Sequence, residues 1–223
     1  MDDINLVDHP FKREMAGRVG GAVHGFDHAY FDDPDALTGF RGYREDGNTA
    51  EGRRDFRAEA LDVVAALRAL PARPGPDVLD VGCAKGFLVQ HLRSLSVDAW
   101  GCDVSEYAIG RAAPDVRPFL QVARIDQVDA TYRVIHICGV MIYLTVGEIR
   151  AALGRFRDLG CEAIVSYEPT LERLQEWWDA RDEGAFDPLR KQELPAATWD
   201  GLFHAAGWER ASGCWVPRVT LPS

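Results

Sequence analysis

Asp80, Gly82 and Gly86 stand close together at the exit of an apolar run, in VLDVGCAKGFLVQHL (78–92). The two glycines leave the backbone bare where a ligand could approach, and they reach backbone angles closed to other residues. The residues that follow have helical spacing. Such a helix would aim its unbonded N–H groups and positive dipole end at the same place. About twenty residues on, VDAWGCD (97–103) ends in Asp103, where an acid can accept from ribose hydroxyls. The competing reading is a tight strand–helix turn that binds nothing.

The dinucleotide pattern G-x-G-x-x-G fits poorly. Gly82 is followed by Ala84, and bulky Phe87 stands where a pyrophosphate must come close to the backbone. Asp80 is also unhelpful beside phosphate; a carboxylate suits a cationic ligand better. A P-loop is excluded because Lys85 precedes Gly86 and no Ser or Thr follows.

The elements that position these residues alternate. Helical periodicity begins near Arg53, with Phe56, Ala60, Leu61, Val64, Leu67 and Leu70 on one face, and PARPGP stops it. Strands then follow at 77–81, 97–103, 117–123, 132–140 and 162–168, separated by helices or short irregular segments. Helices at 171–182 and 198–207 precede two short strands within 208–221. This order predicts an α/β fold: a mainly parallel sheet of seven strands, with helices on both faces. The last two strands have a connection too short for a crossover helix, so an antiparallel strand is expected near the C-terminus. Residues 1–52 carry no sustained period and read as loop and short turns, a flap ahead of a main domain at 53–223.

VLDVGCAKGFL resembles the first motif of class I S-adenosylmethionine-dependent methyltransferases, and WGCDVSEYAIGRA resembles their second. YRVIHICGVMIYLT is similar to their fourth strand and following loop, and HAAGWE to the phrase before their sixth strand. The resemblance runs from about Arg53 to the C-terminus and implies a Rossmann-like fold. It implies that Asp80 and the turn Gly82, Cys83, Ala84 and Gly86 hold the amino-acid end of S-adenosylmethionine. Asp103 would take the ribose hydroxyls and Val104 would pack on the adenine. Ala123, Arg124 and Cys138 fall at the neighbouring strand ends. Two departures stand out: the acid often found after the third strand is replaced by Ala123 and Arg124, with Asp126 later. Tyr132 and Arg133 replace the acidic pair that often opens the fourth strand.

Methyl transfer is largely an in-line displacement that positioning can drive, though an acceptor hydroxyl or amine can also need a base. The candidates are His136, Tyr143 and Glu168. His136 lies inside an apolar run and also reads as a core histidine. Glu168 also reads as a helix cap, and Tyr143 as a packing residue. Tyr30, Phe31, Phe40 and Tyr43 are the candidates for contacting the acceptor, from a flap that either covers the site or merely docks on the surface. Trp177 and Trp178 could form a further wall, with at least one of them in the core.

Composition narrows the partners. Lys and Arg total 25 against 35 Asp and Glu, a net charge of −10, which disfavours nucleic acid and anionic membrane. No Asn-Pro-Pro-aromatic or Asp-Pro-Pro-aromatic motif follows the fourth strand. The five cysteines form no C-x-x-C pair and read as reduced thiols of a cytoplasmic protein. No metal is expected, since acids are not paired after the fourth and fifth strands. The expected activity is methyl transfer to oxygen or nitrogen of a small-molecule acceptor, with sugars and other specialised metabolites as candidates. The alternatives are an NAD(P)-dependent oxidoreductase and a non-catalytic, partner-binding member of the fold.

Overall fold

The structure is a computed structural model and describes residues 4–19, 25–33, 43 and 55–218. The apolar runs form β1 (Val78–Val81), β2 (Ala99–Asp103), β3 (Leu120–Val122), β4 (Val134–Cys138), β5 (Ala163–Tyr167), β6 (Trp208–Ala211) and β7 (Cys214–Pro217). Among the described residues they make one seven-stranded sheet, in the order β3-β2-β1-β4-β5-β7-β6. The first five strands are parallel. β7 runs antiparallel to both β5 and β6. Ser212 and Gly213 join the last two strands with φ of 45° and 86°, the left-handed pair that a two-residue hairpin loop needs.

Helices cover both faces. On one, α3 (Phe56–Arg68), α4 (Phe87–Ser94) and α5 (Glu106–Gly110) pack Phe56, Val63, Leu88 and Ile109 with Val78, Ala99, Val134 and Ala163 of the strands. On the other, α6 (Val146–Asp158) and α8 (Ala196–Ala205) bring Ile149, Phe156 and Phe203 to Leu79, Val81, Ile135 and Ile137. Helix starts follow local chemistry. Asp55 accepts from the N–H of Arg57 and Ala58, and Thr145 and Glu148 form a reciprocal capping box on α6. Leu61, expected on the inner face of α3, is 54% exposed, while Val63 is fully buried. The inward stripe is Phe56, Ala60, Val63, Val64 and Leu67, and Leu61 lies just off it.

The N-terminal region holds more structure than its lack of period suggested. Helix α1 (Pro10–Val19) packs Phe11 and Met15 on Leu174 and Trp178 of α7 (Leu171–Asp179). Asn5 bridges to Gln192, and Lys12 places its ammonium 2.7 and 2.6 Å from the two oxygens of buried Glu193. A one-turn helix, α2 (His28–Phe31), begins at Asp27, whose side chain accepts from the N–H of Ala29 and Tyr30. Trp177 and Trp178 therefore serve the α1 contact and build no wall of the site.

The chain steps outward from β1 to β3 and then returns to place β4 on the other side of β1. Such a reversal opens a crevice beyond the carboxyl ends of the strands.

Candidate active site

A cavity of about 310 Å³ lies in that crevice. Its floor is the ends of the central strands: Val81 at the end of β1 and Gly82 after it, Cys102 and Asp103 in β2, Cys138 and Gly139 at β4. Ala84, Val104, Ala123, Arg124 and Ile125 extend one side, and Val140, Tyr143, Leu144, Glu148 and Lys191 the other. Phe26, Tyr30, Phe31 and Tyr43 complete the lining from the N-terminal region.

The glycine turn is built by close approach. A Cβ on Gly82 would come within 2.2 Å of Val140 Cγ2, and one on Gly86 within 2.7 Å of Leu120 Cδ1. Both glycines also have positive φ, 74° and 77°. Four N–H groups of the turn already have partners. Those of Gly82 and Cys83 reach Cys102 O, that of Ala84 reaches Asp103 Oδ2 at 2.8 Å, and that of Gly86 reaches Cys83 O. Asp103 also accepts from the N–H of Ser105 at 2.8 Å, so one carboxylate ties the end of β2 to the glycine turn. Burial raises its pKa, with those backbone N–H bonds opposing the shift.

The expected site residues divide in two. Gly82, Ala84, Asp103, Val104, Ala123, Arg124, Cys138, Tyr30, Phe31, Tyr43 and Tyr143 meet around the cavity. Phe40 lies outside the described residues. Asp80, Cys83, Gly86, His136 and Glu168 are not among the lining residues. Side chains alternate along a strand, and Asp80 and His136 share one face, as register partners across β1 and β4. Asp80 is 2% exposed, its Oδ1 2.8 Å from His136 Nδ1, while His136 is fully buried, its Nε2 3.7 Å from Glu59 Oε2. A base for the acceptor would need cavity access, which His136 lacks here. Cys83 is buried against the backbone of Gly101, and burial pushes its thiol well up; that of Cys102 is pushed up to about 12. Glu168 accepts from the N–H of Val140, Met141 and Ile142 and so holds the turn after β4, rather than capping the next helix.

The aromatic cover is fastened from three directions. Ser105 Oγ donates to Phe26 O at 2.5 Å. Lys85, in the glycine turn, reaches the Asp32 carboxylate and donates to Tyr43 O at 2.9 Å, and Tyr107 Oη donates to Asp32 at 2.7 Å. On the far side, Tyr30 Oη lies 2.5 Å from Tyr143 Oη, and both lie against Asp187 Oδ2, at 3.0 and 2.5 Å. Phe26 packs edge-on against both tyrosines, with ring centroids 5.0 Å away in each case. Sequence reasoning counts Phe26 among the flap aromatics but misses Glu148, Asp187 and Lys191. Asp187 is 44 positions from Tyr143 and 157 from Tyr30, so only folding unites them.

Among the described residues, no three His, Cys, Asp or Glu side chains gather to hold a metal ion, and no helix is long and apolar enough to cross a membrane.

A crevice at this switch point, edged by an acid at the end of β2, is the arrangement of a class I S-adenosylmethionine-dependent methyltransferase. The chain belongs to the family described as a methyltransferase domain, whose profile matches residues 52–212. No curated protein matches it in sequence. Solved structures share the fold. A SAM-dependent methyltransferase from Archaeoglobus fulgidus superposes with a TM-score of 0.56 at 17% identity, over 76% of this chain and 71% of that one. The magnesium protoporphyrin IX methyltransferase of Synechocystis PCC 6803, solved with SAH bound, does so with a TM-score of 0.53 at 21% identity, over 70% and 74%.

Proposed function

We propose that the protein transfers a methyl group from S-adenosylmethionine to oxygen or nitrogen of a small-molecule acceptor. The observation that carries this reading is the cavity itself, closed in by Phe26, Tyr30, Phe31 and Tyr43. Such a cover leaves room for a small acceptor and little for a macromolecule, and the net charge of −10 disfavours nucleic acid. The Synechocystis relative is named for a small acceptor as well. Five thiols without a disulfide suit a cytoplasmic location.

The residues present fit such a donor. The Asp103 carboxylate borders the cavity and would accept from the ribose hydroxyls, and Val104, half exposed, offers an apolar face to the adenine. With Asp80 turned to His136, the amino-acid end falls to Gly82, Ala84, Cys138 and Gly139. When bound, the donor supplies a methyl group on a cationic sulfur that leaves with the bond's electron pair. The chain's own work is to hold both partners in line and to keep water out.

Calorimetry tests the reading. The protein is expected to bind S-adenosylmethionine and S-adenosylhomocysteine and to leave NAD unbound. Binding of NAD without S-adenosylhomocysteine would overturn it and favour the oxidoreductase reading.

A further inference from the structure

Building on the methyltransferase reading, we infer that the acceptor atom is a hydroxyl oxygen whose proton leaves through Tyr30 and Tyr143 to Asp187. Both tyrosines line the cavity, and Asp187 stands behind them on the connection between α7 and α8. The carboxylate is aimed: Leu189 N–H donates to Oδ1 at 2.8 Å, which leaves Oδ2 toward the two phenols. Tyr143 donates to that oxygen at 2.5 Å.

Counting hydrogens gives the chain a direction. Among themselves the three oxygens make three contacts, of 2.5, 2.5 and 3.0 Å. Two phenols bring two hydrogens, and an ionised carboxylate brings none. Tyr143 donates to Asp187 across 2.5 Å, and Tyr30, which donates to Asp187 across 3.0 Å, can turn its hydrogen to Tyr143 across 2.5 Å. A phenol that passes its proton on accepts one from its neighbour, so a proton entering at the cavity wall ends on Asp187. Burial, and then the charge of Asp187, hold both tyrosines well above the ordinary phenol range. They stay protonated at neutral pH, and the carboxylate is the basic group of the cluster. Arg190 is the cation whose charge reaches Tyr143 from the same connection.

This arrangement suits oxygen better than nitrogen. A methylated amine keeps its positive charge as a stable ammonium and can lose a proton later, to water. A methylated hydroxyl would be an oxonium too acidic to persist, so its proton needs a place to go during transfer. The acceptor oxygen forms its bond to the methyl carbon as the carbon–sulfur pair goes to sulfur. Its O–H bond breaks, one proton moves along each hydrogen bond, and Asp187 ends as the neutral acid.

Asp187 acts through the tyrosines and is a positioning residue. Its first test needs no acceptor. Ultraviolet titration of tyrosinate should show two of the six tyrosines ionising at lower pH in Asp187→Asn than in wild type, assigned with Tyr30→Phe and Tyr143→Phe. An unchanged titration overturns the chain. The second test uses tritiated S-adenosylmethionine with phenol against aniline and benzyl alcohol against benzylamine. Label is expected on the hydroxyl probes, falling about 100-fold in Asp187→Asn. Asp187→Glu should recover part of the rate. Label on the amines, or a hydroxyl rate that ignores Asp187→Asn, overturns the inference. S-adenosylhomocysteine binding is measured on both proteins. Its absence from wild type defeats the donor reading, while its presence confines any failure to the relay.

Discussion

Asp103 combines an architectural role with a place on the cavity wall in one side chain. It accepts from the N–H of Ala84 and Ser105 while bordering the cavity. Its replacement therefore has two effects that must be separated. Asp103→Ala should weaken S-adenosylhomocysteine binding by about 1–3 kcal/mol, the range for a hydrogen bond to a charged group or an unsatisfied donor, and should also lower the melting temperature. Asp103→Asn keeps one acceptor oxygen and should hold the turn better while still binding less tightly. Equal affinity in a folded Asp103→Asn protein would remove Asp103 from the ribose role. Asp80 shows the opposite case, an acid in the same motif that the strand's alternation turns away from the cavity and toward His136.

Helix α2 has too few residues to be stable alone, so its place over the cavity depends on tertiary fastenings. The strongest on one side is Asp32 with Lys85 and Tyr107, where the Lys85 and Asp32 side chains are only 10% and 19% exposed. Burial raises the Asp32 pKa, but hydrogen bonds from Lys85 and Tyr107 and the nearby charges outweigh it, and the net shift is downward from 3.8. A depressed carboxyl stabilises the fold above its unfolded value, and that contribution fades as pH falls through the folded value. Amide exchange at Phe31 and Tyr43, which hydrogen-bond to Asp27 O and Phe31 O, should therefore speed up as pH drops below about 3.8. At neutral pH, Lys85→Met should speed the same amides by an amount equivalent to about 1.5–3 kcal/mol. Exchange unchanged by Lys85→Met would show that the remaining fastenings hold α2 without Lys85.

Across the whole molecule, the N-terminal region serves two places. Residues around α2 cover the cavity, while α1 seals α7 with Phe11 and Met15 against Trp178. Removing the entire region would therefore expose a buried tryptophan as well as open the site. Phe11→Ala should cost about 3–5 kcal/mol in urea unfolding. In the folded protein that remains, S-adenosylhomocysteine affinity should be unchanged, because the α1 contact lies outside the cavity lining. A loss of affinity that matches the loss of stability would mean that α1 supports the site directly.

By itself the sequence determined the order of elements, the parallel sheet with its antiparallel C-terminal strand, and the turn with Gly82 and Gly86. These are local signals: apolar period, glycine at positive φ, caps, and a connection too short for a crossover. It also brought Asp103 and Tyr143 into view, because strand ends in such a sheet converge on one edge. It set Asp80 at the ligand and left His136 open between a base and a core residue, since nearness in a motif does not say which face of a strand a side chain takes. It passed over α1, whose signals were only Pro10 at the first turn and Phe11 and Met15 four apart. The union of Tyr30, Tyr143 and Asp187 belongs to the tertiary structure alone. Each comes from a different part of the chain, and only packing of α2 and the α7–α8 segment on the end of β4 brings their oxygens within hydrogen-bonding distance.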